Sequence, residues 1–339
     1  MKIIITGATG FVGRNLAERF QADGIQVVGM GRSPVIGAEL GRQGIGFIRA
    51  DICNVDQVME AFSAVDCVIH CAGKSGPWGR FRDFYRTNVL GTRNVVAACR
   101  HHRIDKLIFI STPSIYFTGE DRFNVSENDP LPSRQRSNYA KSKLIADTEL
   151  INSGTKEFRT IILRPRAIVG PYDNTFVPRI LRMAEKRHMP LINDGRALVD
   201  LTYIDDFIDA VGNALNAAGD AWNEIFNISS GDPITVKEWI SEILQLLDMP
   251  FRPKTISESV AKMIAATMEM ISYLPFVNRE PPMTRVAVGY LAKSMTMSIE
   301  KAKAMLGYCP SVGRKEGFQR LSEWIRSSHF LPRIAAPEP

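Results

Sequence analysis

Short apolar runs and longer stretches of helical periodicity alternate through the first half of the chain. The strand-like runs occupy Lys2 to Thr6, Gln26 to Met30, Gly46 to Arg49, Cys67 to His70, Lys106 to Ser111 and Thr160 to Arg164. Between them, Phe11 to Gln21, Val55 to Ala64, Asp83 to Arg100 and Tyr139 to Asn152 repeat apolar residues at the spacing of one helix face. This alternation predicts βαβ units around a parallel sheet, hence an α/β fold of the Rossmann-type doubly wound kind. After residue 165 the pattern loosens: Pro165, Pro171 and Pro178 punctuate the chain, and Val236 to Leu247 reads as an amphipathic helix behind Asp232-Pro233. Phe226-Asn227-Ile228 reads as a strand returning to the sheet. The predicted organisation is a cofactor domain over 1–165 with a returning strand near 224–229, a smaller C-terminal substrate lobe mainly over 166–330, and a loose tail over 331–339.

At 339 residues with 45% hydrophobic content, the chain is long enough for one large α/β unit with an appended lobe. Its five cysteines, Cys53, Cys67, Cys71, Cys99 and Cys309, lack CxxC or metal-ligand spacing. No disulfide framework and no metal site are expected, and a cytoplasmic location is. The opening strand runs straight into a glycine turn, leaving no room for a cleavable leader. No apolar run reaches the roughly 18 residues of a membrane span. A net charge of +6 and a pI near 9.1 suit a phosphorylated cofactor, an anionic substrate or peripheral contact with an acidic membrane surface. The basic residues do not interleave with aromatics, so nucleic acid is not an expected partner. The stretch Val260 to Val277 carries Met263, Met268 and Met270 among Ile and Leu; it reads as a plain buried helix, with a receptive apolar pocket as the alternative.

The glycine turn is Thr6 to Gly13, TGATGFVG, with Gly7, Thr9, Gly10, Phe11, Val12 and Gly13 placed to meet a dinucleotide. Glycines at the strand-to-helix turn let the backbone approach a pyrophosphate whose charge rests on the helix N-terminus; the spacing is GxxGxxG rather than GxGxxG. The second strand ends in Gly31-Arg32-Ser33, where an NAD enzyme would commonly carry a carboxylate for the ribose hydroxyls. Its absence removes repulsion of a 2′-phosphate, and Arg32 offers two donors, which favours NADP(H) while NAD(H) remains open. Asp51-Ile52 is placed at the adenine. Cys71, Ala72 and Gly73, after His70, bring small residues close to the cofactor, and His70 itself reads as a packed strand residue.

Tyr139 and Lys143 lie four apart on one helix face. A phenol, with a pKa of roughly 10, needs a cation to act as a proton carrier at neutral pH, and Lys143 is the expected one. The segment Ser111-Thr112-Pro113-Ser114 supplies hydroxyls upstream that could hold a substrate oxygen.

With these parts assembled, the chain resembles the extended short-chain dehydrogenases/reductases, over nearly its whole length. TGATGFVG, Asp51-Ile52, HCAG at His70 to Gly73, Asn88-Val89-Leu90-Gly91-Thr92, STPSIY, YAKSK and Leu163-Arg164-Pro165 carry the likeness. The resemblance implies Thr112, Tyr139 and Lys143 as the catalytic set, with Tyr139 as acid/base and Lys143 on the nicotinamide ribose. It also implies Asn88 and Pro165 in the cofactor site, and a homodimer. Ser111 and Ser114 compete with Thr112 for the hydroxyl role. The stretches Lys74 to Gly79, Gly195 to Asp206 and Arg279 to Arg285 resemble the 3β-hydroxysteroid dehydrogenase branch, especially bacterial 2-alkyl-3-oxoalkanoate reductases.

An NADP(H)-dependent oxidoreductase working on a ketone or secondary alcohol of an apolar, β-keto acyl or sterol-like small molecule is therefore expected. Lys74, Trp78, Ser114, Arg166, Tyr172, Phe176 and Tyr203 are its candidate substrate contacts. The rivals are a nucleotide-sugar epimerase or dehydratase on the same fold and a non-catalytic nucleotide sensor. Val199 stands where such epimerases commonly carry a diphosphate-binding arginine, although Arg166, Arg179, Arg182 or Arg196 could substitute.

Overall fold

The computed structural model describes residues 1–185, 189–274 and 279–327; the predicted tail lies outside them. Five strands in chain order, β1 (Lys2–Thr6), β2 (Gln26–Gly31), β3 (Gly46–Arg49), β4 (Cys67–His70) and β5 (Lys106–Ile110), are joined by Arg159–Pro165 and Glu224–Ile228. Together they make one seven-stranded parallel sheet. Read across the sheet the order is Glu224–Ile228, Arg159–Pro165, β5, β4, β1, β2, β3. The order reverses between β1 and β4, and in open α/β sheets ligands bind at that switch point, beyond the carboxyl ends of the strands.

Helices cover both faces, so β1 is apolar on both sides. Ile3 and Ile5 enter one core with Leu16 and Phe20, whereas Ile4 enters a second core with Met30, Val95 and Phe109. A smaller four-stranded sheet, ordered Ile234–Thr235, Leu198–Val199, Met295–Met297 and Arg122–Val125, ties the C-terminal part back to the segment after β5.

Two sequence expectations change. The helix read over Asp83 to Arg100 is interrupted: Phe81–Phe84 passes through a π-helical turn at Tyr85–Leu90 before Gly91–His101. Such a widened turn re-aims side chains, and here it buries Asn88. The Met-rich segment forms the helix Glu258–Ser272, but it is not a plain buried one. Ala261 and Ala265 pack inward, while Met263, Met270, Ile271, Tyr273 and Leu274 stand in solvent, because the small alanines face the body of the protein. Phe276 and Val277 of that stretch lie outside the described residues.

Candidate active site

Gly7, at φ +73, takes a backbone shape that L side chains avoid, and a Cβ there would meet the Ala72 backbone at 2.8 Å. A Cβ on Gly13 would sit 2.3 Å from the Gly7 carbonyl. These contacts press the turn against the end of β4 and bring Cys71, Ala72 and Gly73 alongside it. Helix α1, Phe11–Ala22, begins at Gly10 with no side-chain cap, so the first-turn N–H groups, those of Phe11, Val12 and Gly13 among them, are left for an anion. Thr9 lies against Gly31, where a Cβ would approach its hydroxyl to 2.6 Å. Arg32 is exposed and makes no ion pair among the described residues. This cradle fits a dinucleotide. Asp51 has one carboxylate oxygen on the Cys53 amide at 2.9 Å, Ile52 is buried against Gly91, and Pro165 ends its strand opposite Ile228.

His70 is sealed in the sheet, its Nδ1 2.7 Å from Thr6 Oγ1 and its Nε2 3.0 Å from Thr92 Oγ1. Thr92 donates to the Asn88 carbonyl at 2.7 Å. Burial pushes the imidazole down to about 3, so it stays neutral. The Asn88 side chain accepts from the Lys74 amide at 2.7 Å and donates to Ser142 Oγ at 2.8 Å, joining the loop after β4 to the tyrosine helix.

That helix, Asn138–Ser153, is capped by Ser137 Oγ on the Ala140 amide at 3.0 Å. It presents Tyr139, Lys143 and Asp147 at successive four-residue steps on one face. Tyr139 is half-buried; lost hydration raises its phenol to about 12, and a hydrogen bond with Thr112 pulls the other way. Thr112 donates to Ser114 Oγ at 3.1 Å.

Of the two competing hydroxyls, Ser111 donates to Asp147 at 2.5 Å, whereas Ser114 stays beside Thr112. Asp147, fully buried, also takes Arg164 Nε at 3.0 Å, and Arg164 reaches the Tyr116 hydroxyl at 2.5 Å. This network was not read from the sequence. The available signal was Asp147 one helical turn beyond Lys143 on the same face.

Lys143 lies one helical turn beyond Tyr139. Its ammonium donates to the Ile110 carbonyl at 2.7 Å and lies 3.9 Å from the centre of the Phe109 ring. With the ammonium so engaged, burial prevails at the Tyr139 phenol. Burial also lowers Lys143 itself to about 8, against the attraction of Asp147 and Cys71.

The candidate substrate residues divide into two sets. Lys74 lies over the Phe84 ring, whose centroid is 6.3 Å from that of Tyr139, and Ser114 touches Thr112. Trp78, in the same loop as Lys74, stacks on Tyr273 at 4.6 Å. Tyr290, which the sequence reading missed, packs on Phe117 at 4.6 Å and acts electrostatically on both Tyr139 and Arg166.

Three others have contacts elsewhere. Tyr172 lies under Arg14, hydrogen-bonds Glu18 and meets Trp324. Phe176 packs on Trp239. Tyr203 is buried against Gly317 of the C-terminal helix. Each supports the lobe's packing, because the chain leaves the mouth of the sheet after Arg166. No helix among the described residues is long and apolar enough to cross a membrane, and no cluster of metal-ligating residues occurs among them.

Residues 3–229 match the sequence profile of the NAD dependent epimerase/dehydratase family. The 2-alkyl-3-oxoalkanoate reductase of Stenotrophomonas maltophilia is 34% identical over 95% of this chain and 98% of its own length. The mouse (Mus musculus) sterol-4-alpha-carboxylate 3-dehydrogenase, decarboxylating, is 28% identical over 97% and 91%. Among solved structures, the UDP-glucuronic acid 4-epimerase of Bacillus cereus with UDP-glucuronic acid and NAD superimposes with a TM-score of 0.75 at 26% identity, covering 97% and 100%. The chain belongs to the NAD dependent epimerase/dehydratase family, the extended short-chain dehydrogenases/reductases, and is an enzyme acting on the CH–OH/C=O pair.

Proposed function

We propose that this enzyme interconverts a ketone and a secondary alcohol on an apolar small molecule of the β-keto acyl or sterol-like kind, using NADP(H). The observation that carries the reading is the meeting of the Tyr139 and Thr112 hydroxyls at the carboxyl ends of β4 and β5, beside the glycine cradle. The bound nicotinamide would supply or accept a hydride.

The protein's own residues handle the oxygen and its proton. A phenol raised to about 12 keeps its proton at neutral pH, so Tyr139 can give it to an oxygen on which negative charge develops. Thr112, held by the Ser114 amide, would donate to the same oxygen once its proton turns from Ser114 Oγ. Lys143, one turn along, is mostly protonated at pH 7 and is the nearby cation available to the phenolate once it leaves the Ile110 carbonyl. The reverse oxidation uses the same atoms. Arg32, free of ion pairs, supports the preference for a 2′-phosphate.

An apolar substrate is supported by Phe84, Phe117 and the Tyr290 ring near Tyr139, and by the uncharged Val199 at the position where epimerases bind a diphosphate. The exposed apolar side chains at the end of the Glu258–Ser272 helix join this mouth through Tyr273 and Trp78. That continuity suits peripheral contact with a lipid surface, from which a water-insoluble substrate could enter.

The test is Tyr139→Phe, with NADPH oxidation followed by fluorescence on a 2-alkyl-3-oxo acid. Turnover should fall by at least about 100-fold with NADPH affinity retained. Unchanged turnover would contradict the assignment.

A further inference from the structure

Among the described residues, the buried polar atoms without a hydrogen-bond partner include Arg166 Nε, the Tyr290 hydroxyl and Gln135 Oε1. The most costly of these belongs to Arg166. Only 9% exposed, Arg166 fixes its backbone between the Ile228 carbonyl, 2.9 Å from its amide, and the Thr202 hydroxyl, 2.5 Å from its oxygen. Its guanidinium makes no ion pair or hydrogen bond among the described residues. The nearest carboxylate in influence is Asp200, which uses one oxygen on the Met297 amide and leaves the other unpartnered. Asp200, raised to about 6 chiefly by burial, is still mostly ionised at pH 7 and attracts Arg166, but no hydrogen bond joins the two. A buried guanidinium N–H without an acceptor is strongly unfavourable, and sites of this kind persist where a ligand supplies the missing acceptor.

We propose that Arg166 and the Tyr290 hydroxyl form a receptor for the carboxylate of a 3-oxo acid, whose ketone oxygen then meets Tyr139 and Thr112. The proposal rests on the reductase reading above and narrows its substrate to a free acid. Tyr290 is the link: it packs on Phe117 in the cluster that holds Ala140, next to Tyr139, and Arg166 follows the strand paired with β5, whose end leads into Thr112. In a 3-oxo acid a single carbon separates the ketone from the carboxylate, so one end of the molecule carries both groups. A guanidinium and a phenol supply donors in a fixed array that suits a carboxylate, while Gln135 Oε1 remains to accept a proton from water or substrate. A nucleotide diphosphate would need further cations, and Val199 cannot supply one.

The experiment compares a medium-chain 2-alkyl-3-oxo acid with its methyl ester, using the full chain and NADPH, in wild type, Arg166→Met, Arg166→Lys and Tyr290→Phe. Wild type should prefer the acid by about 10- to 100-fold in kcat/KM, mostly through KM. Arg166→Met should bring the acid/ester ratio to near one, Arg166→Lys should restore part of it, and Tyr290→Phe should lower it less. A general loss of structure would depress both substrates together and leave the ratio alone, so the ratio, read also in Arg166→Lys and Tyr290→Phe, separates recognition from folding.

An unchanged ratio in Arg166→Met overturns the proposal. Binding of UDP-glucose, which carries a diphosphate and no carboxylate, that weakens in Arg166→Met also overturns it, assigning the cation to a diphosphate. Should wild type turn over neither substrate, competition by decanoate against a fluorescent fatty acid still reads the receptor. Arg166-dependent displacement then supports it while the reductase reading fails, and no displacement overturns both.

Discussion

Replacing Lys143 by methionine should make the protein more stable while disabling it. The side chain is 4% exposed and its ammonium has left water for one carbonyl and one aromatic ring. Its pKa falls from 10.5 to about 8. At about 1.4 kcal/mol per unit, carrying the charge at pH 7 costs the folded state up to about 3 kcal/mol. Methionine fills a similar volume without the charge. Loss of the Ile110 hydrogen bond and the Phe109 contact, each worth about 1 kcal/mol, leaves an expected net gain of about 1 kcal/mol.

The pH dependence identifies the cause. Below pH 8 both folded and unfolded wild type carry the proton and the whole cost is present. Between 8 and 10.5 the unfolded chain binds the proton and the folded one does not, so wild-type stability rises with pH through this group. Cys71, Tyr139 and other groups raised by burial titrate in the opposite sense at alkaline pH, and they cancel in the difference between the two proteins. Urea unfolding at pH 7 and pH 9.5 should therefore show the advantage of Lys143→Met shrinking by more than half. A variant less stable than wild type at pH 7, or an advantage independent of pH, would refute the argument.

Replacing Arg32 by alanine should lower the NADPH/NADH preference by about 10- to 100-fold, the effect of losing one bidentate charge-assisted contact to a phosphate; steady-state KM values for both cofactors check this, and an unaltered preference excludes Arg32 from the 2′-phosphate. Replacing Met263 and Met270 together by serine should weaken cosedimentation with anionic lipid vesicles without lowering thermal stability, because both side chains are already in solvent. Equal cosedimentation of the two proteins would remove lipid contact as the role of that face.

What the sequence determined by itself is local and periodic. A strand of Ile3, Ile4 and Ile5 running into glycines has few alternatives, since only glycine accepts the φ of Gly7 and the crowding at Gly13. Tyr139 and Lys143 share a face because a helix repeats nearly every four residues, whatever surrounds it. The parallel sheet was legible for the same reason: runs apolar on both sides need cover on both sides.

What only the tertiary structure decided depends on segments far apart in the chain. Ser111 turns to Asp147 and leaves Thr112 to the tyrosine; Lys143 finds the Ile110 carbonyl rather than the phenol. Arg166 acquires a neighbour in Tyr290, while Tyr172, Phe176 and Tyr203 are drawn into packing elsewhere. Met263 and Met270 of the Glu258–Ser272 helix face water because Ala261 and Ala265 fit the body of the protein more closely. Spacing along a chain sets which way a side chain points within its own element. What it points at is set by the path of the connections, and that becomes readable only when the layers are packed.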